Sequence, residues 1–189
     1  MSVELQENNN ATTTEVFVSN MKRIRDHYKT GHRTLYIDVS DPAKGDKFPL
    51  DAQAAVSDLE GSLNEFNGEQ QKGITNEIDT FAKNKNYSDF RHRMEKREKK
   101  ANEDAKKRID DFFHKMIKAG EEHPESQGII ESVADSITHF FFNIIDKLKK
   151  FVTNLVNKIV EIMNQAIKLV GEFFSTLAST ASAFFKSII

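Results

Sequence analysis

The apolar residues in the C-terminal third of this chain repeat with a period of eleven residues. From Ile144 to Ile188 they return at spacings of four, three and four. Eleven residues in three turns is about 3.67 residues per turn, close to an unstrained α-helix, so the apolar stripe runs nearly straight or drifts slightly to the right. The pattern therefore predicts one long amphipathic helix or a helical hairpin.

The stripe is also unusually wide. Five of every eleven positions are apolar, and each repeats as a column along the helix; one column is Phe151, Ile162, Phe173 and Phe184. A two-column coiled-coil seam is much narrower than this. Such a face must be covered by other helices, by more copies of the chain or by lipid.

Length and composition fit one domain that is large enough to bury a core. The chain has 189 residues, of which 15 are phenylalanine and none is cysteine, so a disulfide scaffold, a thiolate metal site and a cysteine nucleophile are excluded. The N-terminus has neither a basic region nor an apolar run, so we predict no signal peptide. We expect a protein that is cytoplasmic or released without a leader, and membrane-associated when active.

The charge changes along the chain. Residues 1–89 carry 15 acids and 10 bases, whereas residues 90–119 carry 11 bases and 6 acids. The basic run Arg91–Arg108 contains interleaved glutamates that form opposite-charge pairs at helix spacing, and no aromatic residue that could stack on a base. This favours a solvated, salt-bridged helix. Binding of the basic run to anionic lipid headgroups is the second interpretation, and nucleic acid is an unlikely partner.

We predict three regions within one domain. Residues 1–12 form a polar N-terminal tail, residues 13–122 a helical region with an irregular connector at 31–50, and residues 123–189 the apolar amphipathic segment. The predicted fold class is all-α: an elongated helical bundle with a long basic helix and an apolar C-terminal helix or helical hairpin.

Local signals predict where the helices break. Asn67-Gly68 is expected to interrupt the helix that follows the connector, and a new helix of roughly thirty residues is expected from about Asn86 to Lys118. The C-terminal stripe is expected to bend, if it does, at Gly171 or at the polar pair Thr153-Asn154.

Nothing in the sequence favours catalysis. There is no phosphate-binding loop, no dinucleotide turn and no His-Glu-x-x-His motif. Asp110 and His114 share a helix face at i,i+4, but a metal site needs a third ligand that the sequence does not supply. We therefore predict no enzyme activity, no metal, no cofactor and no small-molecule substrate.

The leading hypothesis is a membrane-active, oligomerising helical protein of the pore-forming or membrane-perturbing type, stored with its stripe folded inward. Lysine, serine, threonine and asparagine on the polar side are typical of helices that lie at a bilayer surface. The predicted membrane or oligomer face consists of Phe140, Phe141, Ile144, Leu148, Phe151, Leu155, Ile159, Ile162, Phe173, Phe174, Phe184 and Phe185. The predicted headgroup contacts are Lys147, Lys149 and Lys150.

Two other classes stay open. A structural self-assembling protein, as in a filament, shell or storage assembly, would bury the same face permanently against other copies. A soluble lipid-binding bundle would open on a lipid surface without perforating it. The expected partners are thus other copies of the chain and an anionic lipid membrane.

Overall fold

The protein is an all-α helical bundle, which confirms the predicted fold class. The computed structural model describes the backbone of residues 2–31 and 47–188, and the side chains of residues 13–31 and 47–188. Helix α1 spans Ser2–Lys29, α2 Leu50–Asn84, α3 Tyr87–Glu122 and α4 Gln127–Ile188, with a short 3-10 turn at Pro124–Ser126. The central part of the predicted connector, residues 32–46, lies outside the described residues.

The described chain divides into two compact units. The first contains residues 1–59 and 107–142, and the second contains residues 60–106 and 143–189. The N-terminal segment predicted as a tail belongs to α1 from Ser2 onward.

In the first unit, α1 packs against the end of α3 and the start of α4. Phe17, Met21 and Ile24 repeat at helix spacing and are at most 1% exposed. At the edge of this core, Lys29 Nζ lies 2.7 Å from Asp110 Oδ2. Asp110 is therefore held by an ion pair between two helices.

In the second unit, α2 and α3 form a helical hairpin. Lys85 takes a left-handed backbone conformation, φ 55°, and allows the chain to turn. The Asn86 side chain then accepts a hydrogen bond from the Asp89 N–H at 3.1 Å, capping α3. Phe81 and Phe90 close the turn with ring centroids 5.1 Å apart.

The predicted break at Asn67-Gly68 is wrong, because α2 is continuous across it. Asn67 is only 5% exposed, so tertiary packing holds this residue inside the helix. A single glycine costs a helix only about 1 kcal/mol. Burial of neighbouring apolar residues such as Leu63 and Phe66 outweighs that cost.

Helix α4 folds back on itself. Phe151 and Phe173 stack with ring centroids 4.1 Å apart and planes 7° apart. Along a straight helix these residues would be separated by about 33 Å, far beyond the reach of two benzyl side chains. The helical run 127–188 therefore reverses direction between them.

The reversal lies near Ile162, midway in sequence between the stacked rings. Phe151 and Phe173 can meet only if the helical segments that join each of them to the reversal have similar lengths. The burial pattern agrees: Ile159 and Ala166 are buried, and no residue from 160 to 165 is. The bends predicted at Gly171 and at Thr153-Asn154 are thus misplaced. We call residues 143–160 the first limb of α4 and residues 165–188 its second limb.

Candidate functional site

Most of the predicted membrane or oligomer face is turned inward. Seven of its twelve residues are buried, each at most 4% exposed: Phe141, Ile144, Leu148, Leu155, Ile159, Phe174 and Phe185. These side chains contribute to the bundle core. In this folded form the stripe is covered by protein.

The remaining five residues are half-buried, and they occupy the same position in successive eleven-residue repeats. They follow one another at intervals of eleven: Phe140, Phe151, Ile162, Phe173 and Phe184. We call this set the phenylalanine column. It marks the edge of the apolar stripe, where burial in the bundle is incomplete.

Within the second unit, the fold-back brings the two limbs together along this column. A cleft of about 310 Å³ lies beside the Phe151–Phe173 stack; it is lined by Phe151, Asn154, Leu155, Lys158, Ile162 and Leu169. Leu155 belongs to the first limb and Leu169 to the second. All the lining residues come from α4, so this helix alone forms the cleft.

The predicted headgroup lysines are exposed. Lys149 and Lys150 line a groove of about 350 Å³ together with Asp146, Thr153 and Asn154. The Lys149 ammonium lies 3.6 Å from a Glu98 carboxylate oxygen. Both side chains are partly exposed, and such pairs contribute only about 0–1 kcal/mol, so Lys149 can exchange this partner at little cost.

Two apolar side chains near the reversal face solvent. Val160 is 70% exposed and Ile167 is 49% exposed. They lie on either side of Ile162, at the end of the α4 hairpin. The sequence analysis placed neither among the candidate site residues, because the apolar pattern does not show where a hairpin would reverse.

The basic helix α3 carries a ladder of ion pairs. Arg91 Nε lies 2.9 Å from Glu95 Oε1, and Arg93 Nε lies 2.6 Å from Glu77 Oε2 on α2. Asp89 provides a second carboxylate to Arg93. These pairs support the prediction of a solvated, salt-bridged helix.

One group of side chains in the described ranges is close enough to share a metal ion. The ligand atoms of Asp51, Glu122 and His123 all lie within 4.8 Å of one another. Asp51 and Glu122 are exposed, and His123 lies 3.6 Å from the carboxylates of both Asp51 and Glu125. Exposed acidic groups of this kind are common without a metal ion, so the cluster does not by itself define a metal site.

A polar cluster between α1 and α4 was missed by the sequence analysis. The Asn20 amide donates to Glu131 at 3.2 Å, and the Tyr28 hydroxyl donates to Asp135. Glu131 is only 8% exposed and Asp135 is half-buried. The sequence did contain a signal for this cluster: Glu131 and Asp135 are spaced i,i+4, on the side of α4 that also carries Ala134 and Thr138.

Burial gives this cluster a pH dependence. Desolvation raises the pKa of Asp135 above its ordinary value, although the Tyr28 hydrogen bond and the nearby His139 and His27 act in the opposite direction. Desolvation also raises the pKa of Glu131, against the Asn20 hydrogen bond. A carboxyl whose pKa is higher in the folded than in the unfolded chain costs stability when charged, and that cost disappears as the pH falls.

We expect Asp135→Asn to stabilise the protein at pH 7. The amide still offers an acceptor to Tyr28 but carries no charge to desolvate. The difference in unfolding free energy between variant and wild type should shrink as the pH falls through the raised pKa towards the ordinary value of 3.8. Denaturant unfolding from pH 4 to pH 8 measures this difference.

The matched control is Asp111→Asn, at an exposed position of α3. We expect it to change stability by no more than about 0.5 kcal/mol. A variant at Asp135 that is less stable than wild type at pH 7, or whose advantage grows on acidification, would contradict the burial argument.

Among the described helices, none combines the length and the apolarity needed to cross a membrane. The chain matches no protein-family model, no curated protein and no solved structure.

Proposed function

We propose that this protein is a membrane-active, oligomerising helical protein that stores its apolar face in the α4 hairpin and presents it to lipid or to other copies. The observation that carries the proposal is the fold-back of α4 onto its own phenylalanine column. One wide apolar surface is held closed partly by contacts with itself. Separating the limbs uncovers the same stripe on both of them.

Helix α4 supplies a large share of the core. It contributes eighteen of the forty buried apolar residues of the described side chains. Burying one leucine or phenylalanine contributes about 1.5–3 kcal/mol, so these residues cannot stay exposed to water in an open form. An opened hairpin therefore requires another apolar environment, which a lipid surface or a second copy provides.

Charge favours an anionic lipid surface. Lys147, Lys149 and Lys150 are exposed on one short stretch of the first limb. Each lysine near an anionic membrane contributes on the order of 1 kcal/mol. The basic residues of α3 support nucleic-acid binding less well, because Arg91 and Arg93 already pair with carboxylates.

The proposal is tested by locking the hairpin. Asn154 on the first limb and Leu169 on the second both line the α4 cleft, so these two positions lie on opposite sides of the same small space. Asn154 is exposed and Leu169 is half-buried, so a reagent can reach both. In Asn154→Cys/Leu169→Cys, a thiol-reactive linker of about 10 Å, the usual spacing of packed helices, can join the limbs, and the chain has no other cysteine.

Without the linker, the double variant is expected to release dye from anionic liposomes. With the linker, release should fall at least tenfold, because the limbs cannot separate. The control is Thr153→Cys/Asn157→Cys, which places both thiols on the first limb at i,i+4 and leaves the hairpin free. Equal release from the locked and unlocked proteins would show that the hairpin does not open during activity.

Vesicle composition separates the electrostatic contribution to membrane binding from the apolar one. Flotation should be strong with anionic vesicles at low salt, partly lost at high salt and weak with neutral vesicles, because the attraction decays over about 8 Å in physiological salt. Flotation without dye release would favour a lipid-binding bundle. No binding to vesicles, with large assemblies in lipid-free buffer, would favour a structural protein.

A further inference from the structure

The cleft between the two limbs of α4 has the character of a binding site for an amphiphile. Its volume of about 310 Å³ lies at the lower end of the range for small-molecule sites, about 300–1,000 Å³. Its interior is apolar: Leu155 is 2% exposed, and the half-buried Ile162, Leu169 and Phe151 form the rest of the apolar lining. The shape and chemistry suit a hydrocarbon chain.

The rim of the cleft is polar and positively charged. Lys158 lines the cleft and is exposed, so its aliphatic stem covers apolar surface while its ammonium reaches water. Among the described residues, no carboxylate oxygen lies within ion-pair distance of this ammonium. Within the described ranges, Lys158 is therefore a cation with no carboxylate paired to it.

The neighbouring groove extends the positive rim. Asn154 lines both the cleft and the groove that contains Lys149 and Lys150. Asp146 is the one carboxylate among that groove's lining residues. An apolar interior that opens towards lysines complements a molecule with one hydrocarbon chain and one negative head.

We infer that the α4 cleft binds a single-chain anionic amphiphile of the fatty-acid class, with its hydrocarbon chain between the limbs and its carboxylate at Lys158. This inference rests on the proposed lipid-directed role of the hairpin and names the ligand of its closed form. The Phe151–Phe173 stack limits one end of the cleft and Ile162 lies towards the other. Binding would occupy the space between the limbs without requiring them to separate.

The test is calorimetric titration of the full-length protein with dodecanoate below the concentration at which it forms micelles. We expect saturable binding to one site. Dodecyltrimethylammonium, which has the same chain and the opposite charge, should bind at least tenfold more weakly. No saturable binding of dodecanoate, or equal binding of the two amphiphiles, would overturn the inference.

Variants locate the site. Lys158→Gln should weaken dodecanoate binding about threefold to fivefold, as expected for one partly exposed ion pair. The control Lys168→Gln removes a neighbouring lysine that pairs with Glu172 at 3.6 Å and does not line the cleft, so binding should not change. Equal affinities of the two variants would remove Lys158 from the site and overturn the assignment.

Leu169→Glu addresses the interior. It places a negative charge among the apolar lining and should weaken dodecanoate binding at least tenfold, and melting curves check that the variant remains folded. If Leu169→Glu unfolds, the titration of Lys158→Gln still tests the site independently, because Lys158 is exposed. These titrations contain no vesicles, so they test the cleft separately from the proposed membrane activity. Dodecanoate binding without liposome leakage would reject the membrane activity and keep the cleft assignment. Liposome leakage without dodecanoate binding would reject the cleft assignment and keep the membrane activity.

Discussion

Phe141→Asp is expected to lower the free energy of unfolding by about 4 kcal/mol or more, enough to unfold much of the protein. Phe141 is fully buried and its ring packs against Phe142 with centroids 5.9 Å apart. Removing a buried phenylalanine costs about 3–5 kcal/mol, and an uncompensated carboxylate in the same place adds to that cost. Chemical denaturation, followed by circular dichroism, measures the loss.

Phe151→Asp is the matched comparison, since Phe151 belongs to the same predicted face but is only half-buried. We expect this variant to stay folded and to lose liposome leakage and self-association together, because the proposed function assigns both to the same apolar edge. If Phe151→Asp assembled and released dye normally, the phenylalanine column would not be the contact surface. If Phe141→Asp melted like wild type, the described core would be incorrect.

Gly120→Ala is expected to destabilise the protein by about 1–3 kcal/mol, although alanine is the better helix former. A Cβ on Gly120 would overlap the Phe17 ring, which is only 1% exposed and cannot move aside easily. Overpacking of this kind commonly costs about 1–3 kcal/mol. The glycine therefore permits the close approach of α1 and α3.

Gly68→Ala should have the opposite sign. Gly68 also lies inside a helix, but a Cβ there would meet no atom within 4 Å. We expect a gain of about 0.5–1 kcal/mol from the higher helix propensity of alanine. Thermal unfolding of both variants checks the pair, and a stabilised Gly120→Ala would contradict the close contact with Phe17.

The helical fold was predictable because the local signals agree with one another. The basic helix α3 has ion pairs at i,i+4 and a cap at Asn86, and all of these depend on residues close in sequence. The break predicted at Asn67-Gly68 was wrong because tertiary burial decides whether the helix continues through these residues. Local propensity contains no information about which helices will pack against that segment.

The course of α4 could not be predicted for a different reason. The eleven-residue period continues through Ile162 without interruption, so a straight helix and a hairpin share the same pattern. The contact between Phe151 and Phe173, which depends on tertiary structure, distinguishes them. The cleft depends on that contact, which is why Lys158 and Leu169 did not stand out as site residues.

The short distance in sequence between the stacked rings has a kinetic consequence. Contact between Phe151 and Phe173 closes a loop of about twenty residues, and the entropy of loop closure increases only with the logarithm of loop length. Contacts this local form quickly, since folding rates increase as contact order falls. Once separated, the limbs would therefore re-pair rapidly on their own. In the proposed mechanism, a lipid surface or a second copy must capture the open hairpin before the limbs re-pair. The local surface concentration of that partner would then control how often opening leads to assembly.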